Sequence, residues 1–165
     1  MSAQVPALLG VASIRRAVGQ SGSALELYER ALEIQQRELG EEDVTVLQTR
    51  CEVASVLCNL AAVERAAGRD GEAYSLLAQA LALRERAHGP QHPLVAQTLN
   101  HMAAVCRALG EYDEAAELCE RVQAAKAAMY GEDAEVAVRA GERVEQARKE
   151  AFAKQGLRPA AQRQK

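Results

Sequence analysis

Aromatic residues are nearly absent. The 165 residues contain no Trp, one Phe and 3% aromatics in all. A core of large stacked rings is excluded, and much of the 48% hydrophobic content is alanine. Small side chains at close helix–helix contacts fit that composition. Proline is scarce too, at four residues, so long helices are permitted. No C-x-x-C pair occurs among Cys51, Cys58, Cys106 and Cys119. With no secretion signal, these read as reduced intracellular thiols. Basic excess is missing: the net charge of -3 argues against a nucleic-acid partner. No apolar run approaches the ~18 residues that span a bilayer, so no membrane partner is expected.

The signatures of catalysis are missing as well. There is no G-x-S-x-G and no phosphate loop. Glu41-Glu42 and Asp113-Glu114 lie at helix starts, where the helix dipole favours negative charge without any acid–base role. His88 and His92 are separated by a helix-breaking Gly-Pro. Cys51 and Cys58 are seven apart on one helix, about 10.5 Å along its axis, too far for one ion. The expectation is therefore no enzyme, no catalytic residue, no cofactor and no metal. Residues 1–25 also lack any acid while carrying Arg15 and Arg16. An organelle-targeting segment is the alternative reading there.

What is present is repetition. Gly68 and Gly110 are 42 apart, as are Gly89 and Gly131, and Ala73 and Ala115. One step earlier the spacing is 49, linking Gly19 to Gly68, Ala24 to Ala73, Ala31 to Ala80 and Gly40 to Gly89. The seven-residue difference is close to two helical turns. An insertion of that length inside a helix extends it and nearly preserves its face, so the extra turns are expected around Thr45 to Cys51.

Between the glycines the apolar residues keep a period near 3.6. Ala24, Leu27, Ala31 and Ile34 form such a stripe, and Ala73, Leu76, Ala80 and Leu83 repeat it. The pattern predicts helical hairpins at about 6–40, 44–89 and 93–131. Ser21, Asp43 and Asp70 are placed to cap helices. A further helix at 133–154 has one narrow stripe, Val136, Ala140, Val144, Ala147 and Ala151, as a terminal cap requires. Residues 1–5 are expected to fray, and the basic tail 156–165 to be disordered. The repeat domain spans 6–155.

These hairpins resemble tetratricopeptide repeats. Ala103 and Ala115 match the two small-residue positions where helices A and B touch, and Leu99, Gly110, Tyr112 and Val122 match large and turn positions. The 42-residue period is similar to that of kinesin light chain repeats. So are YERALEIQQRELGEEDV at 28–44 and ALRERAHGPQHPLVAQTLNHMA at 82–103. The resemblance covers about 7–145. It implies an all-α, right-handed α-α superhelix whose A helices line a concave groove. It also implies a non-enzymatic module that binds a protein or peptide partner as adaptor or scaffold. The alternative is a structural subunit of a larger cytoskeletal or ciliary assembly, docking through its outer faces. Either is expected to be cytoplasmic, with cytoskeletal association an option.

The chain departs from the family's paired asparagines in helix A. It has Asn100-His101 in the third repeat, Cys58-Asn59 in the second and Leu9-Gly10 in the first. The full Lys, Asn and Arg set of a carboxylate clamp is not present. Instead Arg16, Arg65 and Arg107 hold one position in the three A helices. On the surface that the resemblance assigns to A helices they form a basic ladder. Guanidinium groups bind carboxylates in bidentate fashion, so the expected partner is an acidic peptide. Asn59, Asn100 and His101 are hydrogen-bonding candidates beside it. The structural alternative is a cation in the last turn of a helix, favourable by ~0.3–1 kcal/mol without any ligand.

Overall fold

The computed structural model describes residues 4–132 and 134–154. Among them the protein is all-α, with seven helices. These are α1 Gln4–Ala17, α2 Ser21–Leu39, α3 Val44–Ala66, α4 Asp70–His88, α5 Pro93–Leu109, α6 Tyr112–Tyr130 and α7 Glu135–Lys154. The chain divides into two compact units, one ending at Gly89 and one starting at Pro90. In the first, α1 packs on α2, α2 on α3 and α3 on α4. In the second, α5 packs on α6 and α6 on α7.

The corner inside each hairpin is built by backbone alone. Gly110 is left-handed, at φ 84° and ψ 10°, which costs a residue without Cβ nothing. Its N–H donates to the Arg107 carbonyl at 3.2 Å, and the Glu111 N–H donates to Cys106 at 2.8 Å. The same two bonds recur from Gly68 and Arg69 to Arg65 and Glu64, and from Gly19 and Gln20 to Arg16 and Arg15. This closure starts the next helix one residue sooner than expected. Ser21 and Asp70 are therefore not caps but first helical residues, and the Gln20 and Arg69 positions before them make no side-chain cap bond. Their carbonyls already accept from Ala24 and Ala73 at 3.0 and 3.1 Å.

Asp43 does cap, accepting from the Thr45 N–H at 2.8 Å. The Thr45 hydroxyl and then the Thr45 N–H hold its carboxyl below the ordinary value. A depressed folded-state pKa gives stability that is complete above the unfolded value and lost as pH falls through the folded one. Asp43→Ala is expected to lower the melting temperature at neutral pH. The gap to the parent should narrow on acidification below about pH 4, the ordinary carboxylate range. A gap that does not change with pH excludes the carboxylate as its source.

α3 carries the extra turns, with 23 residues against 17 in α5. It corrects one expectation. By length and composition alone it is apolar enough to cross a membrane, at mean hydropathy 1.2. The helix as a whole carries Arg50, Glu52, Glu64 and Arg65, and it packs on α2 and α4.

Alanine sets the contacts. Ala12 and Ala61 on A helices and Ala24 and Ala73 on B helices are buried, as are Ala103 and Ala115 in the second unit. Around Ala12, Ala24 and Ala80 the first core adds Tyr28, Val53, Ala54, Val56 and Leu57. The face of α2 is turned slightly from the predicted stripe. Ala24, Tyr28, Ala31 and Gln35 are its buried residues, while Leu27 and Ile34 are half-buried.

Two further expectations are corrected. The frayed segment 1–5 is not frayed at its end: α1 starts at Gln4 and Val5 is fully buried. Pro6 does not prevent this, because the first-turn N–H groups have no intrahelical partner to lose. In α7 the stripe runs through Ala137, Ala140, Val144, Ala147 and Ala151, and Val136 is 45% exposed. A 3-4-3-4 spacing from 137 keeps one face where 136 falls outside it. The tail 156–165, residues 1–3 and the Asp133 start of the capping helix lie outside the described residues.

Candidate functional site

The three ladder arginines differ in environment. All sit in the last turn of an A helix and give their carbonyl to the glycine of the corner. Arg16 on α1 reaches Glu52 on α3 at 2.8 Å. Arg107 on α5 reaches Glu150 on α7 at 2.7 Å. Arg65 is exposed and makes no side-chain bond among the described residues. Among the described residues, Arg65 thus has no side-chain partner, while Arg16 and Arg107 are each answered by a glutamate of their own unit.

The polar neighbours divide likewise. Asn100 lies seven residues before Arg107, on the same face. Its amide nitrogen donates to the Ala96 carbonyl at 3.0 Å, and its oxygen accepts from Arg143 of α7 at 3.4 Å. The terminal helix thereby engages Asn100 and Arg107 together. Asn59 and His101 are exposed, but each is six residues before its arginine, about 120° around the helix. They flank the arginines rather than share their face.

The histidines and cysteines fall into other roles. His92 caps α5, its Nδ1 accepting from the Leu94 N–H at 3.2 Å. Cys106 and Cys119 are buried. Burial, followed by Glu114 and Glu111, pushes the Cys106 thiol up to about 12. Burial also raises Cys119. Sequence reasoning missed that Cys106, Glu111 and Glu114 converge, their ligand atoms within 4.8 Å of one another. The signal was their position at a corner. One period earlier the same places hold Glu64, Arg69 and Glu72, where Arg69 pairs with Glu64. A hydrogen bond from Glu114 raises Glu111 above the ordinary carboxylate value. A thiol raised to about 12 is protonated at neutral pH, and a metal would have to displace that proton before the thiol could bind it.

Sequence reasoning also missed a cavity in the first unit, with a volume of about 730 Å³. Leu9, Ser13 and Arg16 of α1 form one wall, and the first turns of α3 from Val44 to Glu52 form the other. Tyr28 and Gln35 of α2 and His88 of α4 complete it. Burial raises the Tyr28 phenol, with Arg16 opposing and Glu52 adding to the shift.

Two models described as tetratricopeptide repeat match the chain, over residues 10–44 and 52–128, and together they cover most of it. No curated protein matches at a significant level. Among solved structures, a point variant of a Podosopora anserina putative kinesin light chain with nearly identical TPR-like repeats is similar. It has 24% identity and a TM-score of 0.50, over 93% of this chain and 69% of that one. BtubC (BKLC) from P. vanneervenii is similar at 19% identity and a TM-score of 0.51, over 98% of this chain and 68% of that one. Both likenesses are of fold.

Proposed function

Because the chain belongs to the tetratricopeptide repeat family, with repeats of the kinesin light chain-like type, we propose that it is an adaptor that binds an acidic peptide segment on its A helices. Protein–protein interaction is the general work of this repeat. The observation that carries the finer reading is Arg65, exposed and without a side-chain partner among the described residues. Arg107 and Arg16 are second-rank contacts. Their side chains are 49% and 34% exposed, and half-exposed ion pairs hold weakly. A partner carboxylate can take the place of Glu52 or Glu150. Asn59 and His101 would meet the flanks of the peptide, and Asn100 only after Arg143 yields. A cytoplasmic setting belongs to the same proposal.

A Glu-rich peptide is the probe. Binding is expected in the micromolar range and should weaken steeply with added salt, because exposed charges are screened beyond about 10 Å at 0.1 M. Arg65→Glu together with Arg107→Glu should abolish it. A double variant that binds as well as the parent, by calorimetry at low salt, assigns the arginines to helix ends alone.

A further inference from the structure

Five of the seven residues that break the repeat period help to wall the cavity. Thr45, Leu47, Gln48, Thr49 and Cys51 all line it, and all belong to the extra turns of α3. Its volume of about 730 Å³ lies within the ~300–1,000 Å³ of small-molecule sites. Two features within it are chemically specific. The Cys51 Sγ lies 3.0 Å from the Nε2 of His88. Gln35, 2% exposed, lines the same space, and its Oε1 is a buried acceptor with no hydrogen-bond partner. A buried acceptor left unpaired is unfavourable, and an incoming N–H donor removes that cost.

We propose that this cavity is a thiol-modification site, where Cys51 exchanges with a small peptide disulfide of the glutathione class. Arg65, which carries the peptide reading, does not line this cavity, although Arg16 and Glu52 belong to both surfaces. His88, with its ring proton on Nδ1, takes the Cys51 proton on Nε2. The thiolate attacks one sulfur of the disulfide. A new S–S bond forms to Cys51 as the old one breaks, and the released half leaves as a thiolate that recovers the proton from the imidazolium. Cys51 is oxidised to the mixed disulfide and one half of the reagent is reduced to its thiol. Gln35 Oε1 accepts an amide N–H of the bound half, and Leu9 and Leu47 cover its apolar atoms.

The pairing matters because burial raises the Cys51 thiol, with Arg84 opposing and Glu52 adding to the shift. A thiol raised by burial is sluggish unless a base stands beside it. Of the other cysteines, Cys106 and Cys119 are buried, and Cys58 is as exposed in class as Cys51 but lies outside the cavity. Cys58 is therefore the internal control.

The test uses the full chain with oxidised glutathione, read by mass spectrometry of the labelled cysteines over time. Cys51 should be modified at least tenfold faster than Cys58. His88→Ala should slow Cys51 several-fold towards both oxidised glutathione and iodoacetamide. Gln35→Leu should slow the reaction with oxidised glutathione and leave that with iodoacetamide unchanged, since the smaller reagent needs no N–H acceptor. Circular dichroism of each variant establishes that it is folded. Equal labelling of Cys58 and Cys51 overturns the site. An unchanged rate in His88→Ala overturns the role of the imidazole, and equal effects of Gln35→Leu on both reagents overturn recognition of the peptide.

Discussion

Ala115→Leu is expected to cost about 1–3 kcal/mol of unfolding free energy, and more if the hairpin cannot spread. Ala115 is completely buried on α6, which packs on α5 and α7. Three added carbons have two ways to be accommodated: α6 moves away from α5, or a neighbouring side chain leaves its rotamer. The first is resisted locally. The corner before it is fixed by the Glu111 N–H on Cys106 at 2.8 Å, and the Ala115 N–H itself bonds the Glu111 carbonyl at 3.1 Å. The second is resisted by a buried environment, in which α5 contributes the buried Ala103 and Cys106. Urea unfolding should show a lower midpoint with the same slope. Ala124→Leu, on the exposed side of the same helix, should stay within about 0.5 kcal/mol of the parent. Equal midpoints for Ala115→Leu and the parent would show that this position is not the helix–helix contact that the repeat assigns to it.

The corners and helix contacts are legible in the sequence through residue spacing. Glycines at 42 and 49 residue intervals mark every corner, because a left-handed residue there is a local requirement that little else satisfies. Buried alanines at matching offsets are legible for a similar reason: close approach of two helices admits only a small side chain. The extra turns of α3 followed from arithmetic on the two intervals, and α3 is the longer A helix. Faces were less legible. Leu27 and Ile34 against Tyr28 and Gln35 in α2, or Val136 against Ala137 in α7, differ by a rotation of about one residue. Composition does not resolve that where alanine and leucine stand on adjacent positions.

The candidate site was legible in part. That one position carries arginine in three A helices is a property of the chain. That Arg16 and Arg107 are answered by Glu52 and Glu150 is not, since those partners lie 36 and 43 residues away on helices whose relative rotation the pattern leaves open. The cavity was illegible for the same reason. It needs residues from four helices, and its most specific pair, Cys51 and His88, spans 37 residues. The period irregularity is its one trace in the sequence, and by itself it specifies an extension of a helix, not the wall of a site.

Arg50→Ala is expected to cost about 2–4 kcal/mol, whereas Arg50→Met should come within about 1 kcal/mol of the parent or exceed it. Arg50 lies in the extra turns of α3 and is 1% exposed, among the most buried side chains of the protein. Its Nη1 donates to the Glu41 carbonyl at 2.8 Å, and its Nη2 lies 3.4 Å from the Glu41 carboxylate. That carboxylate is 53% exposed and also pairs with Arg86 of α4, so it does not depend on Arg50. Two contributions are therefore opposed. The aliphatic stem fills space that alanine would leave empty, and the guanidinium pays a desolvation cost that a half-exposed partner offsets poorly. Methionine keeps the stem and removes the charge. Both variants free the Glu41 carbonyl, but in an exposed linker where water can replace the donor. Urea midpoints of the two variants separate the contributions. If Arg50→Met is as destabilised as Arg50→Ala, then the bond to the 40–43 linker, and not packing of the stem, is what Arg50 contributes to the start of α3.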